Sequence, residues 1–323
     1  MPSTPTSMLT VLDPVSHRGR ELCEALVEGL PHMRRRYLHT ADDPEHLLAE
    51  IAGEAQLVQP LGDPEELAGS TAVILTSPPS PAVGQRLAAW LATEPATTVI
   101  DWSVPSVLEV GAAAIFPGPQ GGLPGRRQFQ AIAPALTGPV RVLGALAPLG
   151  VSAAHLTLVT PAADAGAEAQ EELAAQAVAR LSGQSPARPR HLPAVMAFDA
   201  GSLPEARRGH LQAQLARLGL PCEPHLSALG VSAFHGHMAT LVFRLDGSPR
   251  TTAVETTLRR DPSLQLLRSG KLGMLSQSVA AEQVRCAELQ QVQGLWSVLL
   301  VYDGAQLAGP QLVVDLLVRL TAA

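Results

Sequence analysis

The sequence predicts an α/β protein in which a doubly wound, nucleotide-binding-type domain is followed by an α+β domain. The chain has 323 residues, of which 46% are hydrophobic and 16% charged, so it can form two ordinary folded domains. Its first part alternates apolar strands with helices, which is typical of a parallel sheet covered on both faces. Its later part has runs of strands between fewer, longer helices, which indicates an antiparallel or mixed sheet.

The elements of the first part follow from short apolar runs and from leucines at helical spacing. The runs predict strands over 8–13, 71–77 and 97–103, and the periodic segments predict helices over 18–30 and 82–92. The Gly/Pro-rich passage over 116–128 then predicts a long loop.

The later part is assigned by the same patterns, with helix ends marked by Arg and Gly. Helices are predicted over 140–150, 165–183, 205–219 and 310–323, and strands over 152–160, 225–246 and 295–303. No repeat of fixed period occurs, so the sequence does not predict a solenoid.

Composition excludes several classes of function. The net charge of −6 and the pI near 5.9 give no electrostatic footprint for nucleic acid. No apolar stretch is long enough for a transmembrane helix, and the first residues lack the pattern of a signal peptide. Cys23, Cys222 and Cys286 are odd in number and lack CxxC spacing, which argues against a disulfide framework and a zinc site. We therefore expect a cytoplasmic protein that binds neither nucleic acid nor membrane.

Four segments in the same order give the chain a resemblance to the aspartate-semialdehyde dehydrogenases. "VIDWS" (99–103) resembles that family's "VIDxS", and "AIAPALTGPVRVLGALAPL" (131–149) its segment around the catalytic cysteine. "SAFHGH" (232–237) resembles "PVFxGH", and "LLVYDG" (299–304) stands where the family has a strand that leads into "DN". More narrowly, the chain resembles the divergent Usg-like paralogues, which keep the fold and lack the catalytic cysteine.

The resemblance implies a domain organisation and an assembly. We expect a Rossmann-type NAD(P)-binding-like domain over 1–136 and a semialdehyde dehydrogenase-type α+β dimerisation domain over 137–305. The helix over 306–323 is expected to return to the first domain. The partner would be a second copy of the chain or an active paralogue.

In active members a cysteine thiolate attacks the aldehyde, a histidine acts as general base, and hydride passes to NADP. The cysteine position falls on Leu136, which cannot form a covalent intermediate. His237 matches the general base and is interpreted as its vestige. The substrate arginine position is Gly230, so the expected carboxylate contact is missing.

The resemblance places the cofactor loop at "DPVSHRG" (13–19), in which only Gly19 of the family's glycines remains. Ser16, Arg18 and Gly19 are the candidate cofactor-binding residues. Asp13 brings negative charge to the position where a phosphate would lie. We therefore expect no cofactor, and NADP only if the family activity is retained.

Three functions stay open at this point. The first is a catalytically inactive family member that serves as a dimeric partner or regulator. The second is an NADP-dependent oxidoreductase with altered active-site chemistry. The third is a module that binds a small anion through Arg18, Arg126 or Arg127. His235 and His237 are predicted to share one strand face, and no third residue stands at a spacing that would make them a metal site.

Overall fold

The computed structural model describes residues 8–41, 45–94, 97–103, 114–116, 127–268, 271, 275–278 and 282–322. The chain divides into two compact units, Met1–Ala131 together with Gly309–Ala323, and Ile132–Ala308. Within the described ranges, no helix is both long and apolar enough to cross a membrane.

The described residues form strands and helices with the following bounds. The strands are Met8–Leu12 (β1), Arg34–His39 (β2), Leu47–Ile51 (β3), Glu54–Pro60 (β4), Ala72–Leu75 (β5), Thr98–Asp101 (β6), Ala114–Phe116 (β7), Gln128–Ala131 (β8), Val151–Thr160 (β9), Ala200–Ser202 (β10), His225–Val231 (β11), His237–Leu245 (β12), Leu264–Leu266 (β13), Val284–Val292 (β14) and Leu295–Tyr302 (β15). The helices are His17–Gly29 (α1), Pro81–Thr93 (α2), Thr137–Leu146 (α3), Ala167–Leu181 (α4), Glu205–Arg217 (α5), Thr251–Arg260 (α6), Gly304–Leu307 (α7) and Pro310–Ala322 (α8).

The first unit contains a sheet with the order β3-β4-β2-β1-β5-β6-β8-β7, in which every neighbouring pair except β3 and β4 is parallel. All residues of β5 and β6 are buried, because a parallel sheet is covered on both faces. One core includes residues of α1 and α8, and a second core includes residues of α2. The predicted doubly wound architecture is confirmed, and the C-terminal helix does return to the first unit.

The second unit contains a mixed sheet with the order β10-β11-β9-β12-β15-β14-β13. The pairs β9–β11 and β13–β14 are parallel, and the other described pairs are antiparallel. This arrangement confirms the predicted α+β class.

Two sequence predictions need correction, and one hairpin was not predicted. The strand predicted continuously over 225–246 is broken, because Gly236 has φ +87°, and β12 begins only at His237. His235 therefore does not share a strand face with His237. Helix α3 begins at Thr137 rather than 140 and is followed by a 3₁₀ turn that ends at Gly150, which has φ +68°. The β3–β4 hairpin was not predicted, since its exposed Leu48 and Leu57 give no clear alternation.

Candidate functional site

The candidate site is built around His237, the first residue of β12, whose side chain is buried. Its Nε2 lies 2.9 Å from Oδ1 of Asp164, a carboxylate that is 9% exposed. Asp164 lies in the 3₁₀ turn Ala162–Ala165, directly after β9. Backbone N–H groups of this turn donate to carbonyl oxygens shortly before His237. The shorter of these hydrogen bonds runs from Ala162 N to Ala233 O over 2.8 Å. The two side chains are thus brought together by the backbone that carries them.

The second ring nitrogen of His237 is also bonded within the chain. The backbone N–H of Gly304 donates to Nδ1 of His237 over 3.1 Å, which requires a lone pair on Nδ1. We therefore assign the proton to Nε2, where it is donated to Asp164. A neutral imidazole held in this way has no unoccupied nitrogen with which to accept a proton from a substrate.

The ring of His237 stacks on Tyr302, the last residue of β15, with centroids 5.3 Å apart and planes within 15°. Tyr302 is fully buried, and its hydroxyl donates to the carbonyl oxygen of Ala135. Burial, followed by the nearby charge of Asp164, holds the pKa of Tyr302 well above its usual value. The tyrosine therefore stays protonated as a donor.

The turn Pro134–Leu136, which carries the predicted nucleophile position, packs on the same group of residues. A Cβ at Gly304 would overlap the carbonyl oxygen of Pro134 and would lie 2.9 Å from Cε1 of His237. Leu136 is fully buried. The hydroxyl of the next residue, Thr137, is also taken, because it donates to Pro134 O over 2.8 Å.

The three cysteines lie in other elements. Burial raises the pKa of Cys23, in α1, and of Cys286, in β14, to about 12. Burial also raises the pKa of Cys222, which lies in a loop and is partly exposed. A nucleophilic thiol needs a lowered pKa, so none of the three has the environment of a catalytic cysteine.

The predicted cofactor loop lies between β1 and α1, and its polar groups bond to one another and to Thr40 and Thr76. The carboxylate of Asp13 accepts from Thr40, from the backbone N–H over 2.7 Å and from the hydroxyl over 2.6 Å. Ser16 is the N-cap of α1 and accepts from the N–H of Gly19 over 3.0 Å. The Ser16 hydroxyl also contacts that of Thr76 at 3.1 Å.

Gly19 and Arg18 likewise make contacts within the first unit. A Cβ at Gly19 would overlap the carbonyl oxygen of Asp13, so this glycine permits close packing of the helix on its own loop. The Arg18 guanidinium lies 4.1 Å from the ring centroid of Trp102, which is a cation–π contact.

These contacts do not fit a dinucleotide. A pyrophosphate binds to helix N-terminal amides that point to it and favours positive charge. In the loop described here the Gly19 amide is capped by a side chain, and Asp13 adds a carboxylate. We therefore assign no step of a reaction to NADP.

The remaining predicted residues do not gather into one site. His235 is exposed, and its ring approaches the side-chain nitrogen of Gln170 at 3.2 Å. Arg127 reaches the hydroxyl of Thr98 at the start of β6, at 3.5 Å, whereas Arg18 lies on Trp102 after the end of that strand. Arg126 lies outside the described residues.

Sequence reasoning missed the partners of His237. Asp164 lies in "TPAADAG" (160–166) and Tyr302 in "LLVYDG" (299–304), and neither residue was predicted to belong to a site. No spacing along the chain links these residues to His237, because the sheet brings them together from distant positions.

A scan against protein-family models finds no match, and a search of curated proteins finds none either. Solved structures do match. A probable aspartate-semialdehyde dehydrogenase from Pseudomonas aeruginosa is 16% identical, with a TM-score of 0.79 over 97% of this chain and 98% of that chain. Aspartate semialdehyde dehydrogenase II from Vibrio cholerae, solved as a complex with ASA, is 14% identical, with a TM-score of 0.78 over 98% of both chains.

An aspartate semialdehyde dehydrogenase from Francisella tularensis is 10% identical, with a TM-score of 0.81 over 98% of this chain and all of that chain. At these identities the likeness concerns the fold, and it extends over nearly the full length of each chain. The protein therefore has the two-domain fold of the aspartate-semialdehyde dehydrogenases.

Proposed function

We propose that this protein is a catalytically inactive relative of the aspartate-semialdehyde dehydrogenases that acts as a dimeric partner or regulatory protein. One observation carries the proposal: both ring nitrogens of His237 are hydrogen-bonded within the chain, to Asp164 and to the amide of Gly304. The residue that would serve as general base is thus fully occupied.

The chemistry of the family supports the same conclusion. Oxidation of an aldehyde through a thioester requires a thiolate next to a base. Leu136 occupies the position of the thiolate and has no lone pair to offer. The high thiol pKa values of Cys23 and Cys286 leave no thiolate at neutral pH. The hydrogen bonds within the loop before α1 do not fit NADP, which would be the hydride acceptor.

A second candidate is an oxidoreductase with altered chemistry, and the Asp164–His237 hydrogen bond favours it. A carboxylate that orients a histidine is a frequent arrangement at general bases. For His237 to act in this way, the contact on one of its nitrogens would have to open.

Two measurements separate these functions. The first is a titration with NADP and NADPH monitored by tryptophan fluorescence, for which Trp102 is the reporter because Arg18 of the predicted cofactor loop lies on its ring. The second is a phosphate-dependent aspartate-semialdehyde oxidation assay, with an active enzyme of the same fold as positive control. We expect neither saturable binding nor turnover. Turnover that disappears in His237→Ala would overturn the proposal and establish the oxidoreductase.

The dimer is proposed from an open sheet face in the second unit. Along β12, Ala239, Leu241 and Phe243 are fully buried, whereas the residues between them are half-buried or exposed. Leu299, on β15, is half-buried on this alternating face, and its strand neighbours are Thr240 and Ala287. A sheet face with half-buried apolar side chains such as Leu299 is a surface that a second copy would bury.

Sedimentation velocity tests the dimer at micromolar concentration. We expect the wild-type chain to sediment as a dimer and Leu299→Arg to sediment as a folded monomer, because the substitution places a charge on that face. Glu288→Arg, an exposed position at a bulge in β14, is the control and should stay dimeric. A wild-type monomer would refute the dimer and leave the catalytic proposal standing.

A further inference from the structure

The end strand of the first-unit sheet carries an exposed pair of leucines. Leu48 on β3 lies directly opposite Leu57 on β4, and the two residues are 78% and 51% exposed. The other face of this hairpin packs inward, because Ile51 and Val58 belong to the core that includes α1. The outward face therefore presents two neighbouring apolar side chains to solvent, on the strand that ends the described part of the sheet.

The hairpin turn determines which backbone groups of β3 point away from β4. The two turn residues, Ala52 and Gly53, have φ +51° and +80°, as in a type I′ turn. In such a hairpin the residues that flank the turn form a hydrogen-bonded pair, and bonded and non-bonded pairs alternate from there. Ile51 and every second residue before it thus bond to β4, whereas the N–H and C=O groups of Leu48 and Glu50 point to the outer edge.

This edge has little protection against an added strand. Edge strands commonly carry a proline, a bulge or several charges, which prevent another chain from pairing with them. In β3 ("LLAEI") there is no proline, the register with β4 is continuous, and Glu50 is the single charged residue. Among the described strands, only β4 pairs with β3. The outward backbone groups of β3 can therefore accept a further strand.

The sequence of this edge is complementary to itself in the antiparallel sense. When two copies of β3 pair about a twofold axis at Leu48, each Leu48 lies opposite its own copy, and His46 of each chain lies opposite Glu50 of the other. His46 and Glu50 are exposed, and an imidazole N–H donates to a carboxylate. Since Leu57 lies opposite Leu48 within each chain, the outward face would carry a row of four leucines across the joined sheets.

We propose that β3 is a self-association edge, at which the first-unit sheets of two chains join antiparallel about a twofold axis at Leu48. A contact of this kind uses the same residues of both copies and needs no other partner. It lies in the first unit, so it is independent of the dimer proposed on the Leu299 face of the second unit. One short strand is a small contact, so we expect an association weaker than micromolar, which leaves Leu299→Arg a monomer in the sedimentation test above.

Disulfide trapping detects such a weak contact. Opposed residues of a hydrogen-bonded antiparallel pair have Cα atoms about 5.5 Å apart, which is within the range of a disulfide. In a Cys222→Ala background, which lacks the partly exposed thiol, Leu48→Cys should form a covalent dimer on oxidation with copper phenanthroline. Denaturing gel electrophoresis without reductant measures the rate of this cross-linking.

Leu57→Cys in the same background is the matched control, because it is exposed on the same face of the same hairpin. In the joined sheets its copy lies three strand spacings away, about 14 Å, so we expect it to cross-link at least about tenfold more slowly.

Charge exchange tests the register of the pairing. His46→Glu sets two carboxylates opposite each other, and Glu50→Lys sets two basic groups opposite each other. Each change should slow the cross-linking of Leu48→Cys by about two- to thirtyfold, because two such pairs form in each contact. Both changes together again oppose unlike charges and should restore the rate. An effect on thiol reactivity alone would have opposite signs for an added acid and an added base.

The outcome is separate from that of the Leu299 dimer, because the gel reports covalent dimers only. Leu48→Cys should cross-link with and without Leu299→Arg. No cross-linking of Leu48→Cys, equal rates for Leu48→Cys and Leu57→Cys, or a rate that stays low in the double charge exchange would overturn the edge pairing and leave the proposed function untouched.

Discussion

His237 donates from Nε2 to the carboxylate of Asp164 over 2.9 Å, and both side chains are withdrawn from solvent. The same imidazole accepts from the amide of Gly304 at Nδ1. The backbone of Asp164 is held in place as well, because Arg207 donates to its carbonyl oxygen over 2.8 Å. The residue that resembles a general base is thus a junction between the turn after β9, the start of β12 and the start of α7.

Removal of the acceptor should destabilise this junction. Asp164→Ala leaves the Nε2–H of His237 buried without a partner, which costs about 1–3 kcal/mol, whereas Asp164→Asn keeps an amide oxygen in place and should cost less than half as much. Urea denaturation measures both free energies of unfolding. Asp199→Ala, at an exposed aspartate that bonds to the next amide, is the control and should change stability by less than about 0.5 kcal/mol. Equal losses for Asp164→Ala and Asp164→Asn would contradict the hydrogen-bonding role.

Gly19→Ala distinguishes a packing glycine from a cofactor-binding one. The added methyl group would overlap the carbonyl oxygen of Asp13, so we expect the ligand-free protein to lose about 2 kcal/mol or more through strain. Gly209 lies in α5 with no atom within 4 Å of its Cβ position, so Gly209→Ala should instead gain about 0.5–1 kcal/mol from helix propensity. Thermal unfolding of the two variants should shift in opposite directions. An unchanged melting temperature for Gly19→Ala would exclude the close packing described here.

Thiol reactivity should identify Cys222 alone. Burial raises the pKa of Cys23 and Cys286 to about 12, and both are fully shielded, whereas Cys222 is partly exposed. Ellman's reagent at pH 8 should therefore label one thiol in the native protein, Cys222→Ala should abolish that labelling, and denaturant should reveal all three thiols of the wild type. Rapid labelling of a second thiol in the native chain would reopen the search for a nucleophile.

Stability should decline at alkaline pH. The Cys286 thiol keeps its proton up to about pH 12 in the folded chain and loses it near pH 9 when unfolded, so its contribution is complete below pH 9 and is lost as pH rises to 12. At pH 10.5 the free energy of unfolding lost through this thiol is about 2 kcal/mol, at about 1.4 kcal/mol per pH unit. Urea unfolding at pH 8 and at pH 10.5 measures the decrease in the free energy of unfolding between these pH values. This decrease should be smaller in Cys286→Ala than in the wild type by that amount. A drop of the same size in variant and wild type would refute the assignment.

The sequence determined the architecture, because hydrophobic periodicity is a local signal. The fully buried β5 and β6 stand out as apolar runs, and α8 shows helical spacing in "PQLVVDLLVRL". The assignment of the nucleophile position to Leu136 also comes from the sequence alone, and it stays a prediction. The break before β12 could not be predicted from the sequence. Gly236 has a positive φ, but the residues around it form an apolar run that is typical of a continuous strand.

Only the tertiary structure decided what the histidines do. His235 and His237 are adjacent to one glycine in the chain, yet one is exposed and the other is buried between Asp164, Gly304 and Tyr302. His155 and His225 are 70 residues apart and come together only because β9 and β11 pair in parallel. Hydrogen bonds and nitrogen–nitrogen distances depend on which strands become neighbours, and strand order is a property of the folded sheet rather than of any segment.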